Sequence, residues 1–189
     1  MDADLEQQAV AASRRWIETA VIGLNLCPFA RAVMTAGRIR YRVSRARDAQ
    51  ALRADLAEEL RLLAQGAATN VETTLLIHPW ALVDFLEYND FLSIAEATVA
   101  ELGLVGELQI ASFHPHYQFA GTQPDDLENN TNRSPFPTLH LLREASIERA
   151  LATFPDPESI YKNNIETMRR IGKEGWGRLQ SQFMADFFQ

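Results

Sequence analysis

The sequence predicts an α/β fold: a small, at least partly parallel sheet of about three strands, flanked by helices and with extra N- and C-terminal helices. Three observations lead there. Short runs rich in β-formers alternate with longer stretches of helical periodicity. Two of those runs, 73–77 and 108–113, end in the same dipeptide, at His78-Pro79 and His114-Pro115. The chain has 189 residues, 47% hydrophobic and 23% charged, which suits a single domain over residues 1–189 with its own core.

Residues 5–22 place Ala9, Ala12, Trp16 and Ala20 at helical spacing, and Gly23 and Asn25 supply a stop. Pro28 opens a short helix over 28–36 that Gly37 ends. Strand 38–43 follows. Asp48 caps a helix whose stripe is Leu52, Leu56, Leu60 and Leu63, with Gly66 after it. Thr73-Thr74-Leu75-Leu76-Ile77 reads as a buried strand, and 81–102 as one helix or two closed by Gly103. Leu108–Phe113 is the third strand. A loop over 115–137 leads to a helix over 138–152, and another helix starts at the cap and first-turn proline of Asp156-Pro157 and reaches Ile171. Gly172, Gly175 and Gly177 break it, and the tail sets Trp176, Leu179, Phe183 and Phe187 at helical spacing. That aromatic face must pack against the domain or against a second copy as a homodimer.

The net charge of −7 argues against general nucleic-acid binding, which draws its affinity from clustered Lys and Arg. Arg38, Arg40 and Arg42 form a local exception, alternating with Ile39, Tyr41 and Val43 on one strand. Such a row is either an edge strand solubilised by charge and paired with carboxylates, or a contact for an anionic ligand. No run approaches the roughly 18 apolar residues of a membrane span. The acidic start, Asp2 to Glu6, is wrong for a targeting peptide, and Cys27 is the only cysteine, so a cytoplasmic, reducing location is expected.

Three segments hold side chains capable of chemistry. Cys27 precedes Pro28; at a helix N-cap its thiol would face unpaired N–H groups and the positive end of the dipole, which suits a nucleophile or a metal ligand. Its neighbours Leu24, Leu26 and Phe29 equally suit a buried, inert cysteine. His114 and His116 flank Pro115, and in extended chain both rings would leave the same face, able to share a transition metal or to act as base and electrophile. Asn129 to Pro135 is turn-rich. Within it Asn132 and Ser134 fit local backbone bonding, and Arg133 offers a planar fork for a carboxylate or phosphate. His140 and Glu144 fall i, i+4 on the predicted helix. Phosphate-binding glycine loops, H-E-x-x-H, G-x-S-x-G and CxxC are all missing.

Trp16-Ile17-Glu18, Val21 to Ala30 (with Cys27-Pro28-Phe29), Ser112 to Phe119, Gly121-Thr122, Thr131 to Pro135, Leu139 to Glu144 and Asn164-Ile165 together resemble an uncharacterised family, domain of unknown function 1415. The resemblance covers most of the chain. It implies that Cys27, His114, Tyr117, Asn132, Arg133, Ser134 and His140 belong to a defining pattern, and it brings no activity with it. His78 and His116 lie outside that pattern, which favours His114 as the working imidazole.

Two functions from different classes follow. In the first, an enzyme uses Cys27 with His114 and His116 on a small anionic substrate held by Tyr117, Asn132, Arg133, Ser134 and His140. The reaction is thiol-based transfer or hydrolysis, or metal-assisted chemistry with a divalent transition metal on Cys27, His114 and His116. In the second, a non-catalytic module binds a small anionic metabolite or a protein partner through Arg133 and the strand arginines. Both require Cys27, His114 and Arg133 to meet at one cavity.

Overall fold

The computed structural model describes residues 2–152, 156 and 158–185. Helix α1 (Asp2–Trp16) runs directly into a π-helical turn, Ile17–Ile22. There follow α2 (Ala30–Thr35), β1 (Ile39–Val43), α3 (Ala49–Gln65), β2 (Thr73–Ile77), α4 (Phe85–Glu101) and β3 (Leu108–Phe113). A 3-10 turn, Leu127–Asn132, interrupts the long loop before β4 (Thr138–Arg143), α5 (Glu144–Ala152) and α6 (Glu158–Phe183).

The sheet has four strands in the order β1-β2-β4-β3. β1 and β2 are parallel, and β4 lies antiparallel between β2 and β3. Strands β1, β2 and β3 therefore share one direction, so His78 and His114 leave the same edge, as the repeated dipeptide suggests. β4 is the element that the helical reading of 138–152 misses. Thr138 and His140 alternate with the buried Leu139 and Leu141, but Leu142 ends that alternation after four residues and α5 follows at Glu144 with no glycine or proline between, so the whole stretch reads as one helix. His140 is therefore on a strand and Glu144 begins the next helix, and the pair does not share a helix face.

Alternation along the strands divides the core in two. On one face Leu76, Leu108, Leu139 and Leu141 pack against α3 and α4 through Leu52, Leu56, Leu60, Tyr88 and Phe91. On the other, Val43, Leu75 and Ile77 meet Trp16, Ile17, Ala20, Met168, Trp176 and Phe183 from α1, the π-turn and α6. The aromatic stripe of the tail thus packs inside the chain at Trp176 and Phe183; Phe187 and Pro157 lie outside the described residues. Of the three glycines expected to break α6, only Gly172 does so, with φ 65° and ψ −177°.

The arginine strand β1 is an edge strand. Arg40 grips Glu59 of α3 with Nε at 2.7 Å and Nη2 at 2.9 Å, and Arg42 approaches the same carboxylate at 3.5 Å. Glu59 is 1% exposed, and its buried charge is matched by the guanidinium fork. Arg38 pairs with Glu72, Arg45 with Glu6 and Arg47 with Asp2. The row is a set of carboxylate pairs. No helix of the described residues is long and apolar enough to cross a membrane.

Candidate functional site

At the strand edge where they emerge, His78 and His114 are both sealed from solvent. Both rings are 0% exposed and lie against Tyr88, whose centroid is 5.7 Å from His78 and 5.0 Å from His114. His114 Nδ1 accepts the His116 N–H at 3.0 Å, so in the neutral ring Nε2 carries the proton and donates it to the Leu82 carbonyl at 3.3 Å. Burial lowers this histidine from 6.5 to about 4. Each nitrogen thus has a backbone partner, and neither is left over to take a substrate proton. The chain turns after His114, closed by Tyr117 N–H on the His114 carbonyl at 3.1 Å. His116 lies exposed while His114 is buried, and the two rings stay neighbours with centroids 5.9 Å apart.

Arg133 is occupied too. It donates to the Tyr117 carbonyl at 3.3 Å, to Asn130 Oδ1 at 3.1 Å and to the Pro124 carbonyl at 2.7 Å. Asn129 fastens the same loop, accepting from Phe119 N–H and Thr122 Oγ1 and donating to the Gln123 carbonyl. Ser134 Oγ donates to the Phe136 carbonyl at 2.6 Å. Tyr117 packs its ring on Phe85 and Phe119. These residues lock a long loop whose buried backbone would otherwise lack partners.

The open space lies elsewhere, over the face of the sheet covered by α1. A cavity of about 790 Å³ runs between that face, the π-turn, the segment around Cys27, α5 and Asn164 of α6. Its walls are mainly hydrocarbon, including Trp16, Val21, Leu26, Phe29, Leu75 and Phe113. Among the predicted site residues, Cys27, Asn132 and His140 line it; His114, His116, Tyr117, Arg133 and Ser134 do not. The expected meeting of Cys27, His114 and Arg133 is replaced by a meeting of Cys27, His140 and Asn132. The reason is alternation: Phe113 faces the cavity, so the next residue, His114, turns toward α4.

Cys27 reaches the wall through unusual backbone. The π-turn ends with Leu26 N–H bonded to the Val21 carbonyl at 2.8 Å, and Asn25 takes φ 55°. Gly23 is required there, since a Cβ would stand 2.1 Å from the Thr19 carbonyl oxygen. Such π-turns often accompany functional sites. The helix after it starts at Ala30 with Phe29 as its N-cap, so Cys27 is not the capping residue. The partly exposed thiol residue instead supplies its own carbonyl to Ala30 N–H at 3.2 Å. Asn164 Nδ2 donates to the Leu26 carbonyl at 2.9 Å and ties α6 to this segment.

His140 sits on the cavity floor at the centre of the sheet. Its Nε2 is 2.6 Å from Thr73 Oγ1, and that hydroxyl donates its single proton to the Leu141 carbonyl at 2.6 Å. The hydroxyl must then accept from Nε2–H, so the neutral ring keeps an unprotonated Nδ1. Burial lowers this histidine to about 4 as well, and it is neutral near pH 7. Thr73, Asn164, Arg143 and Arg149 are absent from the site predicted by sequence, while Arg38, which also lines the cavity, belongs to the strand row expected as an anion contact. The only local signal was a pair of threonines inside an otherwise apolar buried strand.

Among the described residues no group of three or more His, Cys, Asp or Glu side chains is placed to hold a metal ion. No curated protein and no solved structure shows a significant match to the chain. Residues 8–178 match the model of a family described as a protein of unknown function, DUF1415. With the model spanning nearly the whole fold, from α1 into α6, the chain belongs to that family.

Proposed function

We propose that the chain binds a small molecule with an apolar body and an anionic end in the cavity beside Cys27. The observation that carries this reading is the cavity itself: about 790 Å³, walled by hydrocarbon, with a few polar side chains placed on it. Small-molecule sites have this size and make-up. The anionic end is supported by Arg149 on the wall, whose guanidinium donates to the neutral Ser146 hydroxyl, whereas Arg38 there is already paired with Glu72. Anilinonaphthalene sulfonate, apolar rings with one anionic group, is a suitable probe. It should bind at one site with a rise in fluorescence, and Ala111→Trp, which fills the cavity floor, should abolish that rise. Undiminished binding by a folded Ala111→Trp variant would remove the cavity from consideration.

A second reading makes the same cavity a thiol-dependent active site, favoured by Cys27 and His140 lining it together. Sulfur would attack an acyl carbon while its proton passes to an imidazole nitrogen and then to the leaving group. A ring held at about 4 is a weak base, which places binding ahead of catalysis. Alkylation of Cys27 by iodoacetamide, followed with and without saturating probe, tests whether the thiol faces the occupied space. A rate unchanged by the probe would count against both readings.

A further inference from the structure

Helices α3 and α4 each bury five residues, whereas α2 and α5 bury none, and both of these border the cavity. The shorter, α2, is tied into the turn that starts β1, with the Arg38 N–H on the Val33 carbonyl at 3.2 Å. α5 leaves the sheet at a fixed point. Glu144 N–H donates to the Glu107 carbonyl at 3.0 Å, and Arg143 just before it donates to the carbonyls of Leu63, Gly66 and Val71. Beyond that junction one face of the helix, Ser146, Ile147, Arg149 and Ala150, lies along the cavity. A helix with so little buried surface opens at small free-energy cost, and its apolar side is fully covered only when something fills the space beneath. The same face carries a charge without a counter-ion. Arg149 Nη2 donates to Ser146 Oγ at 3.1 Å, and no carboxylate pairs with Arg149 among the described residues. The acids of α5, Glu144 and Glu148, do not line the cavity.

We propose that α5 is a lid that closes on the ligand and reads its charge: Ile147 and Ala150 settle on the apolar body while the Arg149 guanidinium takes the anionic group. The hinge is the Arg143–Glu144 junction. This rests on the small-molecule reading above and names the element that gives the site its preference for an anion. Closing lids sequester a bound molecule from water and complete its set of contacts. Because both the apolar contacts and the charge sit on one loosely held helix, an anionic ligand orders α5 more than a neutral ligand of the same shape does.

Two probes of nearly one shape test this: anilinonaphthalene sulfonate and N-phenylnaphthylamine, which lacks only the sulfonate. Each reports its own binding by fluorescence, and amide exchange is followed on the full chain, free and saturated with either. In the free chain residues 145–152 should exchange at least about tenfold faster than α3. The sulfonate should slow them about tenfold and the neutral amine about threefold or less, with α3 unmoved by either. Arg149→Gln should bring the effect of the sulfonate down to that of the amine. Equal protection of α5 by both bound probes, or protection by neither, overturns the inference and leaves the small-molecule reading standing. So does an undiminished sulfonate effect in Arg149→Gln, or exchange in the free α5 as slow as in α3. Failure of both probes to bind removes the inference and the small-molecule reading together.

Discussion

Tyr88 and His114 pack ring against ring with centroids 5.0 Å apart, and the tyrosine hydroxyl accepts the Phe113 N–H while donating to the Thr138 carbonyl. One buried phenol thereby ties β3 to β4 at the edge where α/β sheets commonly bind ligands. Here both histidines are part of the core, and the cavity lined by Cys27 and His140 lies over a face of the sheet.

Acidification should destabilise the fold well before carboxylates titrate. Burial lowers His78, His114 and His140 each to about 4 from 6.5. Between those values the unfolded chain binds more protons than the folded one, so stability is full above about pH 6.5 and falls as the pH drops toward 4. His78 adds to this, since its Nε2 is buried with no hydrogen-bond partner among the described residues and would gain a proton with nowhere to donate it. Urea unfolding from about pH 7.5 down to about pH 5 should show a falling midpoint and an uptake of about one proton per ring. A midpoint flat across that range would mean the rings are hydrated.

Two glycine-to-alanine changes should act in opposite directions. Gly23→Ala drives a methyl group against the Thr19 carbonyl and should cost about 1–3 kcal/mol, with the Cys27 segment loosened and alkylated faster. Gly177→Ala adds a methyl group in open space within α6 and should stabilise by about 0.5–1 kcal/mol. Denaturant midpoints for the two variants decide it; equal effects would contradict the π-turn geometry.

Glu59→Gln should weaken the sheet edge. The carboxylate is buried, but the guanidinium groups of Arg40 and Arg42 are each 41% exposed and stay in reach of water. The loss is therefore less than for a fully sealed pair, about 2 kcal/mol, and it should shrink little with added salt because the carboxylate is shielded. A strongly salt-dependent loss would point to a surface effect.

Arg133→Lys separates the loop role from a ligand role. It keeps the charge and loses the planar fork that holds Tyr117, Asn130 and Pro124 together. Amide exchange across 117–132 should quicken, with a global loss of about 1–2 kcal/mol, while sulfonate-probe binding stays unchanged. A lost affinity with unaltered exchange would restore this arginine to the binding site.

Most elements were legible because their signals are local. Asp48 accepts from Ala51 N–H as a cap should, the Leu52, Leu56, Leu60 and Leu63 stripe is buried, and strands Thr73–Ile77 and Leu108–Phe113 fall where composition put them. The motif-bearing segments around Cys27, His114, Asn132 and His140 were also found from the chain alone. Their grouping was not.

By itself, then, the sequence determined the α/β class, the order of most elements and the residue types available for chemistry, because propensity, capping and apolar period act between near neighbours. Only the tertiary structure decided that 138–143 is a strand, since its alternation lasts four residues and no turn residue separates it from the helix that follows. It likewise decided which face each side chain takes. Alternation at Phe113 turns His114 into the core on α4, and insertion of β4 beside β2 brings His140 onto Thr73 and into the cavity with Cys27. Pairing partners 67 residues apart are chosen by the sheet as a whole, and no local spacing encodes that choice.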